Sequence, residues 1–487
     1  MSTRRLFEAI LAIAIFAMSV RENIDADLWW HLRTGEAIVA NGRPPTTDLF
    51  SYTIPDHLWI VQQWLTDLFM WQLYQVAGLP GLIIVFALVV TAAFMLVYAC
   101  CAGRPYLATF VILLAYLTSA LPVGARPQMF NMLFLALCLL IIERVRARKW
   151  REWTLFLLPP ITLLWANMHS GFLTGIVVLG AYVAGEAVQR WLKKPDELTL
   201  EWSGVWKLAA AVALSLLAAL VNPSGLDLLL FPLGTLGSEA IQGNIVEWFS
   251  PDFHSPYWWF FGAMLALGAI SLIVSQRRVT ATDLLIFLGT GWMGLTSVRH
   301  IPLFALAAAP VIARHLLSAF EGTRLYPLLA GEHATTHPSR FSRLLNTAVL
   351  LLMLLVAAVW AQTRLDNMEY IINTRFPVAA VDFIEANGLA DGRIFNAYNW
   401  GGYLIWRRIP VFIDGRTELY GDAFFRDYLQ TFQVREGWAR PLDEYAVDTV
   451  LVDTGSPLAT LLHTAAGWQE VYRDEIATIF TRETTTD

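Results

Sequence analysis

Residues 22–78 read ENIDADLWWHLRTGEAIVANGRPPTTDLFSYTIPDHLWIVQQWLTDLFMWQLYQVAG, and they lie between two apolar runs, Leu6–Val20 and Leu79–Cys101. Both runs read as membrane spans. Connections between elements are usually about 4–6 residues long, so a polar loop of this size is more than a connector. It opens with two carboxylates, Asp25 and Asp27, where the first span leaves the bilayer. Acids beside a membrane are costly to place and tend to serve function.

Composition supports the same frame. The chain has 487 residues, 56% hydrophobic and 15% charged, with a mean hydropathy of +0.51. Ordinary soluble domains are about 25% charged and about 45–50% apolar, so this is a polytopic membrane protein surrounded by membrane lipids. The net charge of −6 and the lack of a large basic block argue against a nucleic-acid partner, which needs a Lys/Arg surface. Cys100, Cys101 and Cys138 all sit in apolar runs and suggest neither a disulfide framework nor a zinc site. Residues 1–20 could be a signal peptide with a weak cleavage site at Ala17-Met18-Ser19. Glu8 and the many later apolar runs favour an uncleaved first span.

Apolar runs begin near residues 5, 79, 106, 127, 153, 171, 206, 257, 281, 301 and 344, which gives about 11 spans. The third to fifth are short, and Pro159-Pro160 is expected to kink the fifth. Lys and Arg concentrate on the cytoplasmic side of membrane proteins. With the N-terminus inside, the inner segments hold Arg4-Arg5, Arg104, the run 144–151, Lys193-Lys194, Lys207, Arg277-Arg278 and the long loop 318–343. The first outer loop and the C-terminus then lie outside. The spans read as holding few ionisable residues, Glu8 being the main one.

The expected fold is thus mainly α, a polytopic membrane helix bundle over residues 1–364, followed by an extracytoplasmic soluble α/β domain over 365–487. In that domain Phe376–Gly388 and 422–433 read as helices. Arg393–Tyr398, Pro410–Asp414, Thr449–Val452 and Trp468–Thr481 read as strands. The second half of the first loop, His57–Ala77, interleaves aromatic residues with Gln62, Gln63, Asp67 and Gln72. It reads as an amphipathic helix that either lies in the membrane interface or packs under the soluble domain.

Sidedness gathers the polar oddities on the outer face. Arg126 opens the fourth span, Asn167 and His169 join the fifth and sixth, and Arg299-His300 join the ninth and tenth. They share that face with Asp25, Asp27 and His31. Outer arginines run against the usual charge bias, and arginine suits phosphate through its planar fork. Carboxylates, histidines and arginines on one face make a site for a lipid-linked phosphate and a polar acceptor. Each residue also has a plainer role. Asp27 could cap the helix beginning at Leu28; Arg126 could be an interfacial anchor. Asn167 and His169 could close a tight hairpin, and Arg299-His300 could form a turn at the headgroups. Asn399-Trp400-Gly401-Gly402 and Asp414-Gly415-Arg416 occupy strand-end turns, where α/β domains place binding loops, although Asp-Gly is also a common turn pair. No Walker loop, dinucleotide glycine fingerprint, metalloprotease helix or GxSxG elbow is present.

The run Asp-x-Asp-Leu-Trp-Trp-His-Leu-x-Thr-Gly-Glu at 25–36 and the run Pro-x-Thr-Asp-Leu-Phe-Ser-Tyr-Thr at 45–53 resemble a group of bacterial multispan proteins described as GT-C glycosyltransferase-like. The segments NWGGYLIW (399–406) and FIDGRT (412–417) are similar to that group's C-terminal domain. The resemblance implies a transferase taking a sugar from a polyprenyl-phosphate donor, with catalytic acids early in the first outer loop, carried here onto Asp25 and Asp27. It departs from several characterised branches in having Asp-Ala-Asp where they have Asp-Glu, and this leaves open which acid is the base. The resemblance implies a multi-pass protein of the bacterial inner (cytoplasmic) membrane, active on its outer face. The acceptor is a glycan, a lipid or a protein. No organic cofactor is implied, and a divalent cation beside the acids stays open. His31, Arg126, Asn167, His169, Arg299, His300, Asn399, Asp414 and Arg416 are the expected substrate-binding residues. A polymerase or ligase using a polyprenyl-diphosphate glycan, and a non-catalytic lipid-glycan carrier or scaffold, are the alternative functions.

Overall fold

The computed structural model describes residues 1–22, 24–332 and 339–483. Expectations for Asn23, for 333–338 of the inner loop and for 484–487 lie outside the described residues. The chain is mainly helical with one small sheet near its C-terminus. It divides into two compact units, and each combines segments distant in sequence.

The first unit comprises Met1–Arg21, Ile83–Leu229 and Val246–Arg364. Among the described residues of the whole chain, six helices are long and apolar enough to cross a membrane: Trp64–Cys100, Gln128–Arg146, Phe172–Trp191, Pro256–Val274, Val298–Ala319 and Arg340–Arg375. Other expected spans are shorter helices, such as Tyr106–Ser119 at 14 residues, Leu158–Met168 at 11 and Ala281–Thr296 at 16. A helix rises about 1.5 Å per residue, so these fall short of a hydrocarbon core about 30 Å thick. Pro159-Pro160 does not kink a span. The pair opens the helix Leu158–Met168 after a 3-10 turn at Glu152–Leu157, where a missing N–H costs nothing because that donor is unpaired anyway.

The same unit corrects the expectation of few ionisable groups in the apolar helices. The Glu143 carboxylate accepts from Arg146 Nη1 at 2.7 Å, Arg314 Nη2 at 2.8 Å and Tyr182 Oη at 3.0 Å. Glu186 accepts from Arg146 Nε at 2.8 Å and Thr282 Oγ1 at 3.0 Å. Asp283 takes Arg314 Nη1 at 2.9 Å, with His315 Nε2 at 3.2 Å. All seven ionisable groups, Tyr182 among them, are buried. In sequence they sit near the ends of apolar runs and read as flanking residues. They are tolerated there because every carboxylate meets a guanidinium, the condition under which charge is accepted inside a bundle.

The second unit comprises Glu22–Leu82, Leu230–Ile245 and Leu365–Asp487. The first loop and the C-terminal segment, nearly 300 residues apart in sequence, therefore fold together. The helix Leu28–Asn41 buries Leu28, Trp29, Trp30, His31, Leu32 and Ile38 and stops at Gly42, whose φ of 68° is a left-handed helix end that glycine adopts without cost. The helix from Trp64 breaks at Gly78 (φ 61°, ψ −164°), where the aromatic and polar sequence gives way to the apolar run.

The sheet has strands β1 (Ile394–Asn396), β2 (Thr449–Asp453), β3 (Trp468–Arg473) and β4 (Ala477–Arg482), in the order β1-β2-β4-β3. β1 and β2 are parallel, and the other pairs are antiparallel. Two strand expectations change. The run 468–481 is a hairpin rather than one strand, because the Asp474 carboxylate accepts from the backbone N–H groups of Ile476 and Ala477 and turns the chain. Pro410–Asp414 joins no sheet. The Asn396 amide stands in for a ladder, accepting from Phe412 N at 2.9 Å and donating to Ile413 O at 2.8 Å. On its other side Val411 exchanges backbone hydrogen bonds with Phe50 and Tyr52 of the first loop.

Candidate functional site

The two acids expected to be catalytic begin the helix Leu28–Asn41. The Asp25 carboxylate accepts the backbone N–H of Asp27 at 2.9 Å, and its carbonyl accepts that of Leu28 at 3.2 Å. Asp25 thus makes the turn that starts the helix. Asp27 occupies the N-cap position but makes no side-chain cap bond. Its Oδ1 instead accepts the Trp30 indole N–H at 2.9 Å. The Asp27 carboxylate is then set against Gly415, where a Cβ would collide with Oδ1. Burial first, and the negative charge of Asp27 next, push the Tyr398 phenol well above its ordinary range. It stays protonated, with Thr417 Oγ1 2.5 Å away.

Glycines bring these segments close. A Cβ on Gly402 would run into the carbonyl of Ala26, and one on Gly401 would lie 2.7 Å from Asp414 Cα. The short helix Gly401–Trp406 can approach the Asp25–Asp27 turn because Gly402 lacks a side chain, and it can approach Ile413–Asp414 because Gly401 does. Trp29 closes the contact, edge-on to Phe376 and Tyr403 with centroids 5.5 and 5.4 Å away.

Beneath Gly415 lies a buried charge clamp. Arg416 donates from Nε and Nη2 to the two oxygens of Asp414, at 2.8 and 2.6 Å, and from Nη1 to Asp48 at 2.6 Å. Tyr420 adds a bond to Asp414 at 2.7 Å, and the guanidinium lies 4.5 Å from the centroid of the Trp59 ring. Although burial opposes the charge, the Asp414 carboxylate and then Asp48 hold the Arg416 pKa above its ordinary value. His31 is buried as well, with Nδ1 2.7 Å from Asp67 Oδ1 and its ring tilted by 33° against that of Trp30. Asn399 is exposed on the 3-10 turn Tyr398–Trp400.

The remaining expected residues belong to the first unit. Arg126 Nη2 donates to Glu247 at 2.7 Å. Arg299 lies 5.1 Å from the Trp248 ring, and His300 meets the same ring edge-on. Burial would raise the Glu247 pKa, but Arg126 and then Arg299 pull it below the ordinary carboxylate range. Glu247-Trp248 therefore gathers Arg126, Arg299 and His300. Asn167 donates to the carbonyls of Leu163 and Val221, both at 2.9 Å. His169 Nδ1 accepts from Gly171 N at 2.9 Å, with the Asn131 amide nitrogen 3.1 Å away. The Trp165 indole N–H fixes the Asn131 oxygen at 2.7 Å, so the His169 proton resides on Nε2. These bonds tie Asn167 and His169 into the ends of their helices.

Four contributors were not assigned roles from sequence: Asp48, Asp67, Asn131 and Glu247. Asp48 stood inside the PxTDLFSYT motif and Asp67 among the polar residues of the aromatic helix, so both were visible as acids in unusual company. Glu247 carried one signal, an acid in a segment expected on the same face as the arginines. Asn131 carried none. Among the described residues no three or more His, Cys, Asp or Glu are grouped to hold a metal ion. Asp25 and Asp27 offer a divalent cation two carboxylates at most, with water for its other positions.

No family model and no curated protein matches the chain. Solved structures do match, and what this chain shares with them is the fold. Together with six apolar helices among the described residues, this fold describes a multi-pass membrane protein. It is similar over 100% of its length to the archaeal oligosaccharyltransferase AglB from Archaeoglobus fulgidus, in complex with an inhibitory peptide and a dolichol-phosphate, covering 75% of that chain with a TM-score of 0.55 at 12% identity. A second structure of an Archaeoglobus fulgidus oligosaccharyltransferase, tethered to an acceptor peptide, matches 99% of this chain and 74% of its own, with a TM-score of 0.54 at 12% identity. ArnT from Cupriavidus metallidurans, bound to undecaprenyl phosphate, matches 99% of this chain and 98% of its own, with a TM-score of 0.52 at 12% identity.

Proposed function

We propose that the chain is a membrane glycosyltransferase that moves a sugar from a polyprenyl-phosphate donor to an acceptor at the outer face of the bacterial cytoplasmic membrane, by inverting displacement. The observation that carries this reading is the placement of two acids at the start of the first loop in a chain with a GT-C fold. The dolichol-phosphate and undecaprenyl phosphate of the two neighbours support the donor class. The orientation we propose, N-terminus in and C-terminus out, rests on the distribution of Lys and Arg.

In this mechanism Asp25 or Asp27 takes the proton of the acceptor hydroxyl as it attacks the anomeric carbon. The bond from that carbon to the lipid phosphate oxygen breaks, and the phosphate leaves with both electrons. Arg126, Arg299 and His300, gathered at Glu247-Trp248, are assigned the charge that develops on the leaving phosphate. The clamp Asp414–Arg416–Asp48 positions Gly415, which in turn limits where the Asp27 carboxylate can lie. His31, held by Asp67, orients Trp30 and its bond to Asp27. Asn167 and His169 shape the helix ends, and the exposed Asn399 is left to meet the acceptor.

Gly415→Ala tests the positioning argument. The added methyl meets the end of a flexible carboxylate, so the chain should fold with nearly unchanged thermal stability while Asp27 is re-aimed. An ångström-scale misplacement costs about 10²-fold in rate, and turnover of a lipid-linked donor should fall by that order. Unchanged turnover would separate Asp27 from the chemistry.

A second reading is favoured by the gathering of Arg126, Arg299 and His300. It is a polymerase or ligase using a polyprenyl-diphosphate glycan, which can work without a carboxylate base. The deciding experiment mixes the purified protein with polyprenyl-phosphate and polyprenyl-diphosphate sugars and follows lipid release by mass spectrometry. Release from monophosphate donors that requires the acids supports the first reading. Release from diphosphate donors that requires Arg299 but not the acids supports the second. Binding without release, unchanged in Asp25→Asn/Asp27→Asn, would point to a carrier or scaffold.

A further inference from the structure

One face of the helix Leu28–Asn41 lines a cleft of about 390 Å³ that lies entirely within the second unit. Arg33, Glu36 and Asn41 border it from this helix, and Arg408 borders it from the segment after the helix Gly401–Trp406. The walls between them are apolar, from Ala37, Ala40, Leu49, Ile409 and Pro410. Glu36 is shared by two cations: Oε2 pairs with Arg33 Nη1, and Oε1 lies 3.1 Å from Arg408 Nη2. Two positive charges therefore meet one negative charge. A guanidinium carries five N–H donors, so one carboxylate leaves most of the ten unused. Arg33 Nε is buried and has no hydrogen-bond partner among the described residues. A buried donor left unpaired is costly.

Arg408 has φ 64°, the left-handed conformation that follows many helix ends and is ordinarily filled by glycine. A side chain there is strained, so glycine at this position would relieve the backbone.

We propose that this cleft binds an oxyanion, a carboxylate or a phosphate monoester, carried by a sugar or similar small polar ligand, with Arg33 and Arg408 as its two forks. Glu36 holds the forks apart and competes with the ligand for them. The binding site stands on the cleft alone. Its use to hold an anionic acceptor rests on the transferase reading: Glu36 is nine residues beyond Asp27, roughly 13 Å along the helix, so the anion would be gripped at a distance from the reacting hydroxyl. Remote binding of this kind can be converted into orientation at the reacting centre.

The test is equilibrium dialysis of the full-length protein in lipid nanodiscs with radiolabelled glucuronate and glycerol phosphate, together with its thermal midpoint. Saturable binding of either probe is expected, and the preferred probe names the source as an acidic sugar or a phosphate headgroup. Arg408→Gly should weaken binding about 10-fold, the worth of one charge-assisted hydrogen bond, while the midpoint holds or rises because glycine relieves the left-handed backbone. Glu36→Gln should tighten binding by removing the internal competitor. Asp25→Asn/Asp27→Asn should bind normally, so loss of transfer in that variant leaves this inference standing. Failure of both probes to bind, or equal binding in Arg408→Gly and Glu36→Gln, would overturn it.

Discussion

Replacing Asp25 or Asp27 by Asn is expected to lower transfer by about 10²–10⁴-fold, the usual worth of a general base, while leaving the fold in place. The structure explains why the fold should survive. Asp25 contributes an acceptor oxygen to the Asp27 N–H, and Asp27 contributes one to the Trp30 indole. An Asn side-chain oxygen can accept both bonds, so the turn and the helix start keep their partners. What is lost is the negative charge and the capacity to take a proton. The two single variants distinguish the base from its companion: the base should show the larger fall, and the companion a smaller one through altered orientation. Thermal unfolding of each variant beside its turnover is the check. Full activity in both singles and in the double variant would exclude a carboxylate mechanism.

Arg416→Ala should have the largest effect on stability. It removes a guanidinium bonded to both Asp414 and Asp48, whose side chains are 0% exposed, from a site where the arginine itself is 3% exposed. Removing one partner of a buried ion pair costs about 3–5 kcal/mol, because the remaining charge is left in the interior without compensation. Here two carboxylates would be stranded. Arg416→Lys should fall between the native protein and Arg416→Ala, since a lysine supplies the charge but cannot make the two-pronged bond to Asp414. Denaturation of the second unit, followed by tryptophan fluorescence from Trp59 beside the guanidinium, would report the loss. A stability unchanged by Arg416→Ala would mean that the clamp is dispensable.

Much of this molecule is legible from sequence because its strongest signals are local. Hydropathy separates the apolar helices from the segments that contain Asp25–Gly78 and the C-terminal domain, since helices in a membrane need long apolar runs. The break at Gly78 and the strands β1 and β2 fall where composition and residue alternation place them. The GT-C resemblance, drawn from the Asp-x-Asp run and its neighbours, is matched by the fold. Short-range patterns of this kind depend on residues near one another in the chain, so one sequence is enough to read them.

Pairing over long distances is different in kind. Nothing local in Asp48 or Arg416 says that they meet across more than 360 residues, or that Gly415 makes room for Asp27 and Gly402 for Ala26. The same holds for Pro410–Asp414, whose strand-like sequence bonds to the Asn396 side chain and the first loop instead of joining a sheet. It holds again for Glu143, Glu186 and Asp283, which look like flanking acids until their arginines arrive from other helices. Sequence determined the kind of protein, its apolar helices and the acids most worth testing. Tertiary structure decided which charges are buried, because the cost of burying a charge is met or left unmet only by the partner that folding brings to it.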